Sequence, residues 1–433
     1  MARTITAVNG KSQGDLALLS LTGFLRSLAT GLIGVILGVY LFRLGYGTAQ
    51  IGAATAAGLA GAAVATALIT WRGDRVGRRR TLVLLALLWV VGGVGLALVS
   101  NFLALLVLVF VGMVNAMGTD RSASYVLEQS VLPSLVSDSQ RTWAFSWYHL
   151  ILDAGGALGA LAAALPIALH HWRGISILTA YRAILLGYAG LGVLSAAAYL
   201  FVSKRIEAPP PAQVSSKLSI TGKKRVYGLA GLFAIDSFGG GFLTDALVAY
   251  WFFRRFGVSE AQLGILFFVI HLLNAASHLG AAWLAKRIGL LKTMVFTHLP
   301  SSLFLIAVPF APNFTFAAAL LLARESLVEM DVPTRQSYVA AVVQPQERMF
   351  AAGLTNLSRN VFWAIASGLS GVLMQSLSFA APLVAGGALK ISYDVLLYRK
   401  FRYIRPPEEL LESQKSSSES NPKYAPAGEQ THK

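Results

Sequence analysis

The sequence is divided into about twelve apolar runs, each long enough to cross the hydrocarbon core of a bilayer as a helix of about twenty residues. Of all residues, 55% are hydrophobic and only 13% are charged, which excludes a soluble domain of this length. We therefore predict an all-α membrane protein of twelve transmembrane helices. The runs cover 16–42, 49–71, 81–99, 102–130, 142–166, 180–203, 226–252, 262–284, 292–310, 314–342, 350–376 and 379–397.

The second half of the chain repeats the first. The segment that starts at Trp71 reads WRGDRVGRRRT, and the segment that starts at Trp283 reads WLAKRIGLLKT, with tryptophan, arginine, glycine and threonine at the same spacing. A weaker match relates Gln129 and Ser130 to Gln336 and Ser337. An internal duplication in an apolar chain predicts two pseudo-symmetric six-helix bundles around a shared site, the arrangement that alternating access requires.

Composition and loop charges define the expected domains. Residues 1–15 are a polar N-terminus, 16–203 and 226–398 are the two bundles, 204–225 is a linker with three consecutive prolines, and 399–433 is a polar tail expected to be disordered. The first run is too long for a signal-peptide core, so we expect a retained helix. Basic residues favour one set of loops by roughly four to one, which places both termini, the linker and the tail in the cytoplasm.

Several function classes are excluded or disfavoured. The net charge of +16 is concentrated in short loops beside apolar runs, where membrane orientation explains it better than nucleic-acid binding. The chain has no cysteine, so it has no disulfide or thiolate metal site. It also lacks a Gly-x-x-x-x-Gly-Lys-Ser/Thr phosphate loop, so ATP is not the expected energy source. We predict no enzyme chemistry and no cofactor, and we expect a monomer.

The loop GDRVGRRR between the second and third runs resembles the signature loop of the major facilitator superfamily, G-x-x-x-D/A-R-x-G-R-R/K. The resemblance extends from about residue 15 to residue 400 and has a weaker echo in AKRIGLLK. It implies that this loop is a cytoplasmic gate, a charge-relay latch between the bundles that breaks when the inside opens. The gate residues would be Gly73, Asp74, Arg75, Gly77 and Arg78.

Small residues in the fifth run allow two interpretations. Asp153, Gly155, Gly156 and Gly159 faintly resemble the antiporter motif of drug exporters, although the prolines of that motif are missing. Close packing of helices through small residues is the interpretation that we prefer.

Ionisable side chains fall near the middle of four runs. Arg26, Asp120, Asp236 and Glu325 lie in the first, fourth, seventh and tenth runs, which line the central cavity in the resembled fold. Because buried charge is costly, we predict that these four converge at a substrate and proton-coupling site. Structural ion pairing between the bundles is the alternative. Their expected neighbours at that site are Arg121, Arg324, Glu329 and Asp331.

The tenth run is the most highly charged. Glu325 and Glu329 lie four residues apart on one helical face, where one carboxylate is expected to hold a proton in a low dielectric. Pro333 predicts a break or kink beside them. Arg335 and Arg359 could instead neutralise Asp331, which would be a structural role.

A second group of polar residues lies on the fifth and eighth runs. His149 and Asp153 are one helical turn apart, and His271, Asn274 and His278 share a face. The resembled fold brings these helices together at the bundle interface, so we consider an interface relay for protons, formed by His149, Asp153, His271 and His278. A metal site, or ordinary hydrogen-bonded packing, remains an alternative.

These observations predict a secondary active transporter of the inner, plasma membrane. It would move a small polar or amphipathic solute by alternating access. We expect transport to be coupled to protons, and efflux is one direction that it could take. Its partners would be the small-molecule substrate, protons and the lipid bilayer. One alternative is a divalent metal-cation transporter that uses Asp236, Asp245, His271, His278 and Glu325. The other is a non-transporting receptor or scaffold of the same fold.

Overall fold

The computed structural model describes residues 10–120, 122–136, 141–207, 220–342 and 348–403. Within these ranges the regular structure is α-helix with short 3₁₀ turns, which confirms the all-α prediction. The helices are α1 (Gly10–Arg43), α2 (Thr48–Val76), α3 (Arg78–Leu98), α4 (Phe102–Val111), α5 (Ala123–Leu135), α6 (Arg141–Leu161), α7 (Leu165–Arg173), α8 (Ile177–Phe201), α9 (Ile220–Gly241), α10 (Asp245–Phe256), α11 (Glu260–Ile288), α12 (Leu290–Ala307), α13 (Phe314–Val328), α14 (Asp331–Val342), α15 (Arg348–Ser376) and α16 (Ala381–Phe401).

Three of the twelve predicted runs are broken near their middle. The fourth run forms α4 and α5, the seventh forms α9 and α10, and the tenth forms α13 and α14. Among the described residues, eight helical segments are long and apolar enough to span a membrane by themselves. Each helix of the broken fourth and tenth runs is too short to span a membrane alone. The helices of the eleventh and twelfth runs carry more polar side chains, such as Arg359, Lys390 and Asp394.

Local chemistry accounts for the breaks. Between α4 and α5, Gly118 has a φ of 82° and Met113 a φ of 50°, so the chain leaves the helical region there. The Asn115 side chain then bonds the backbone of Met117 and Thr119, which replaces lost helical hydrogen bonds. In the tenth run the chain breaks just before Pro333, which lies in the first turn of α14, as the sequence predicted.

Small residues bring α1 and α6 into direct contact. A Cβ atom on Gly31 would lie 2.1 Å from the carbonyl oxygen of Gly156, and one on Gly159 would lie 2.0 Å from that of Leu28. Only glycine permits such an approach of two helix backbones. This packing supports the preferred interpretation of the glycines in the fifth run.

Among the described residues, apolar packing joins the two bundles from one end of the molecule to its middle. At the end where α1 terminates, one buried cluster includes Ile36 and Tyr40 of the first bundle together with Trp251 and Phe267 of the second. At the opposite end each bundle has its own cluster, one around Leu82 and one around Phe233, Met294 and Tyr393 among others. The molecule is therefore closed at the end where α1 terminates, which we call the closed end.

Close contact between α2 and α15 extends the closed end toward the middle of the molecule. A Cβ atom on Gly52 would lie 2.8 Å from the backbone nitrogen of Gly371. Nearer the middle, Leu59 of α2 packs with the buried Trp363 and Ala364 of α15. These contacts hold the bundles together on one side of the central region.

Candidate functional site

A polar cavity of about 870 Å³, open solvent included, lies at the breaks of the seventh and tenth runs. Helices of the second bundle supply most of its wall, and Met117 and Thr119 from the break of the fourth run complete it. Ionisable side chains dominate this lining: Asp236, Asp245, His271, His298, Arg324, Glu325, Glu329, Asp331, Arg335, Arg359 and Lys390. We call it the central cavity.

Asp236 is the centre of an ion-pair network on one side of the central cavity. Its carboxylate accepts from Lys390 Nζ at 2.9 Å and lies 3.4 Å from Arg335 Nη1. Arg335 also pairs with Asp331, four residues earlier on α14. Arg359 donates from Nε to Ser237 Oγ at 3.0 Å. Asp331 thus pairs with Arg335, which is the structural role considered as the alternative. This side of the cavity carries three basic side chains and two carboxylates. We call Asp236, Asp331, Arg335, Arg359 and Lys390 the basic wall.

The basic wall continues away from the cavity, within the second bundle, through a histidine. His298 Nδ1 lies 3.0 Å from the fully buried Asp394, and Lys390 Nζ lies 3.3 Å from His298 Nε2. Sequence reasoning missed Lys390, His298 and Asp394 as site residues. Their signal was the presence of ionisable side chains inside otherwise apolar runs, four residues apart in the case of Lys390 and Asp394.

The opposite side of the central cavity carries an excess of carboxylates. Glu325 is buried and pairs with the neighbouring Arg324. Asp245 begins α10, and its side chain is 18% exposed with His271 Nε2 at 4.0 Å. Glu329 ends α13 at the break of the tenth run. We call Asp245, Arg324, Glu325 and Glu329, with His271 and Asn274 of α11, the acidic wall.

Arg26 and Asp120 do not reach the central cavity, so the prediction that all four midplane charges line one cavity is wrong. Arg26 Nε lies 2.5 Å from Asp120, and Arg26 Nη2 lies 2.6 Å from the fully buried Glu128. The hydroxyls of Tyr148 and Tyr199 also donate to Glu128. Arg26, Asp120 and Tyr199 line a second, smaller cavity inside the first bundle.

The direction of one backbone segment explains this separation. Thr119 lines the central cavity, whereas the next residue, Asp120, turns toward Arg26. The sequence prediction treated Asp120 as part of one continuous helix, whereas it lies in the break between α4 and α5. Arg121, a predicted neighbour, lies outside the described residues. Glu128 was missed, although it is a carboxylate within the fourth apolar run.

The second polar group lies where α6 and α11 pack, as expected. His271 lies within 3.5 Å of the position that a Cβ atom on Gly156 would take. His278 interacts electrostatically with both His149 and Asp153. The four residues divide into two places, because His271 borders the central cavity, whereas His149 is exposed and bonds Gln129 at 3.4 Å.

The predicted cytoplasmic gate is described only in part. The surroundings of Gly73 and the side chains of Asp74 and Arg75 lie outside the described part of the structure, although α2 continues through their backbone. Gly77 has a φ of 93°, and α3 begins directly after it. The Glu207 carboxylate accepts from the backbone nitrogens of Arg78 and Arg79 at 2.6 and 3.0 Å, while Arg78 Nη1 donates to the Ile206 carbonyl. These bonds link the loop to the end of α8 in its own bundle.

Metal ligands do not cluster within the described ranges. No group of three or more His, Cys, Asp or Glu side chains there is arranged to hold a metal ion. Asp236 and Asp245, both named for the metal alternative, lie on the basic and acidic walls respectively. The metal-cation alternative therefore gains no support from these residues.

Comparison with known proteins identifies the family. The sequence profile of the Major Facilitator Superfamily matches residues 19–324 and 229–427, which together cover most of the chain. The chain belongs to the major facilitator superfamily. Over 416 residues it is 24% identical to the uncharacterized membrane protein YJR124C of Saccharomyces cerevisiae, with 88% of this chain and 93% of the relative covered.

Solved structures of this superfamily share the fold. A bacterial homologue of the human lysosomal transporter Spinster, in an inward-facing and occupied conformation, has a TM-score of 0.68 at 17% identity and covers 88% of this chain and 93% of its own. A D-xylose–proton symporter gives 0.69 at 12% identity, with 89% and 97% covered. The nucleoside transporter NupG gives 0.68 at 16% identity, with 90% and 99% covered. The chain is thus a multi-pass membrane protein with the fold of a major facilitator transporter.

Proposed function

We propose that this protein is a secondary active transporter that carries a small polar solute through the central cavity by alternating access. The observation that carries the proposal is the cavity itself, which is lined by nine acidic and basic side chains and two histidines at the breaks of two helices. Unwound backbone and ionisable groups in the middle of a membrane are costly, and in transporter folds they form the substrate site. The superfamily assignment supports the same mechanism.

The asymmetric packing supports a rocking cycle. The bundles share one apolar cluster at the closed end and have separate clusters at the other. With the termini in the cytoplasm, as loop charges favour, the closed end faces outward and this conformation is open toward the inside. We place the protein in the plasma membrane of the cell on the same argument.

Proton coupling is the energy source that we propose. Glu325 and Glu329 lie on the acidic wall, and Glu325 is buried beside a single guanidinium. A carboxylate in such a place can bind a proton when the solute is absent and release it when a charged partner arrives. Asp236 would hold the basic wall in place during the exchange, because it joins α9 to α14 and α16. Outward movement of solute against inward movement of protons is the direction that we propose.

Flux measurements in proteoliposomes test this mechanism. Solute movement should follow an imposed pH gradient in the wild-type protein and collapse with a protonophore. In Glu325→Gln the gradient should no longer drive net movement, whereas exchange of solute across the membrane should persist. Asp15→Asn is a suitable control, since Asp15 only bonds Ser203 at the end of α8. Transport by Glu325→Gln and Asp236→Asn with the pH profile of the wild type would disprove the coupling role.

The scaffold alternative makes a different prediction in the same assay. A receptor of this fold would bind a ligand without moving it. Such a receptor would gain nothing from so many buried charges, because replacing buried ion pairs by apolar groups is often neutral or stabilising. Absence of any solute flux in reconstituted protein that still binds ligand would favour the scaffold.

A further inference from the structure

The polar atoms of the acidic wall that remain without partners define the chemistry of the solute. Three carboxylates, those of Asp245, Glu325 and Glu329, face one guanidinium, that of Arg324. Arg324 is paired with Glu325. Asp245 and Glu329 form no hydrogen bond with another described residue, and the nearest basic group to Asp245 is His271 Nε2 at 4.0 Å. Within the described ranges, these two carboxylates are therefore left without a Lys or Arg ion-pair partner.

Two further polar atoms lie beside these carboxylates. Asn274 Oδ1 and His271 Nε2 are buried without a hydrogen-bond partner, and both residues line the central cavity. His271 is only 6% exposed. A buried polar atom without a partner costs free energy comparable to a lost hydrogen bond, so such atoms in a cavity commonly mark places that a ligand or water fills. On this wall the Asn274 amide oxygen adds an acceptor to the two unpaired carboxylates.

We propose that the acidic wall binds a protonated amine group of the transported solute. A primary ammonium offers three N–H donors and a positive charge, which matches two carboxylates and a neighbouring amide oxygen. Arg324 Nε is also buried without a partner, so an oxygen on the same solute, such as a hydroxyl or carbonyl, finds a donor about one helical turn from Glu329. The solute class is a small amine that carries an oxygen substituent.

The basic wall is less suited to this amine. Its carboxylates, Asp236 and Asp331, each pair with a cation, Lys390 and Arg335 respectively, although Asp331 Oδ1 has no hydrogen-bond partner. A cation that entered the cavity would meet paired carboxylates there and unpaired ones on the acidic wall. The two walls therefore orient the solute, with its amine toward Asp245 and Glu329.

This inference rests on the proposed transport function, because it names the substrate class of the same cavity, and it also adds to the coupling scheme. A proton and an ammonium group would be alternative partners of the same carboxylates. Their exchange at Asp245 and Glu329 would add to the proton exchange proposed at Glu325.

Ligand-dependent thermal stability of the purified full-length protein in detergent tests the inference without a gradient. The probes are matched pairs in which an amine replaces a hydroxyl: ethanolamine and ethylene glycol, glucosamine and glucose, putrescine and 1,4-butanediol. At least one amine should raise Tm in a saturable way, since a ligand that binds only the folded state stabilises it by mass action. Its neutral partner should not.

Two variants assign the effect to the acidic wall. Asp245→Asn and Glu329→Gln should each weaken the amine-dependent shift at least tenfold in apparent affinity, because each removes one charge-assisted hydrogen bond. Asp15→Asn should retain the full shift, and each variant's Tm without ligand reports whether it folds. Two variants are used so that loss of folding in one leaves the other informative.

The outcomes separate this inference from the transport proposal. Equal stabilisation by amines and neutral partners, no stabilisation by any amine, or an unchanged shift in both variants would overturn the inference. Gradient-driven flux of a neutral or anionic solute would overturn it as well, while the transport proposal would stand. Amine binding without flux would leave the inference standing and remove the transport proposal.

Discussion

Arg43, the last residue of α1, donates from Nη2 to Glu260, the first residue of α11, at 2.5 Å, and so joins the two bundles at the closed end. The positions suit both charges, because a cation is favoured at a helix C-terminus and an anion at an N-terminus. Tyr181 of α8 donates a further hydrogen bond to Glu260 at 2.6 Å. Glu260 is 1% exposed, so its charge depends on these two partners.

Removal of Arg43 should loosen the closed end. Arg43→Gln leaves the Glu260 carboxylate buried with Tyr181 alone, and loss of one partner of a buried charge pair costs about 2 kcal/mol or more. We expect a population that is open at this end. The chain has no cysteine, so spin labels at introduced Arg173→Cys and Thr315→Cys, both exposed at this end, can report the distance between the bundles.

A matched control isolates the bridge. Arg255→Gln removes a nearby exposed arginine that only stacks on Phe256, and it should leave the spin-label distance distribution unchanged. A single short distance in Arg43→Gln, identical to that of the parent, would show that the ion pair does not hold this end closed.

The contact of Gly52 with Gly371 makes a second prediction about the same end. A methyl group on Gly371 would lie 2.2 Å from the carbonyl oxygen of Thr48, so α2 and α15 must separate in Gly371→Ala. Overpacking of this kind costs about 1–3 kcal/mol. The variant should show the longer spin-label distance and slower flux. Gly187→Ala on α8, where an added methyl group meets nothing within 4 Å, should behave as the parent does.

Arg26 should be essential for the stability of the first bundle. It is 9% exposed at its side chain and contacts both Asp120 and the fully buried Glu128. Arg26→Gln leaves two buried carboxylates without a cation, a loss of about 3–5 kcal/mol in the free energy of unfolding. Thermal unfolding in detergent measures it, with the exposed Arg205→Gln as control.

A second substitution checks that charge is the cause. Arg26→Gln combined with Glu128→Gln removes one of the unpaired carboxylates and should be more stable than Arg26→Gln alone. If the double variant is less stable than either single one, Arg26 contributes through packing rather than through its charge.

The ion pairs of Arg26, Asp236 and Glu325 show how much of the structure the sequence could predict. Apolar runs, the internal repeat and Pro333 were sufficient for the all-α class, the two bundles and the break of the tenth run. The partners of Arg26 could not be predicted, because the rotation of a helix about its axis decides whether a side chain faces its own bundle or the central cavity. Asp236 and Glu325 do border the cavity, yet they lie on different walls, since the broken α9 and α13 carry them into separate ion pairs.

The residues of the acidic wall could be predicted from the sequence only in part. Glu325 and Glu329 were found from their spacing of four residues, which holds as long as the helix continues. Asp245 was assigned to a metal alternative, because the prediction treated the seventh run as one continuous helix, although three consecutive glycines precede the break at Thr244. The break makes Asp245 the first residue of α10 and turns it toward the central cavity, where only the structure shows its neighbours.

The start of α3 depends on Gly77 for two separable reasons. Its φ of 93° is strained for any residue with a side chain, and an added Cβ would also lie 3.2 Å from the Glu207 carboxylate that caps the helix. Gly77→Ala should therefore lose about 1–2 kcal/mol for the backbone alone and more if the cap is displaced. Gly174→Ala gives the cost at an ordinary left-handed position, since Gly174 has a φ of 62° and a ψ of 16° with nothing within 4 Å of its Cβ position, whereas Gly77 has a ψ of 132°. Gly77→Ala in a Glu207→Ala background measures the backbone part at Gly77 itself, and if thermal unfolding shows the same loss there as in the parent, Glu207 adds nothing to it. A larger loss in Gly77→Ala that vanishes in a Glu207→Ala background assigns the difference to the cap.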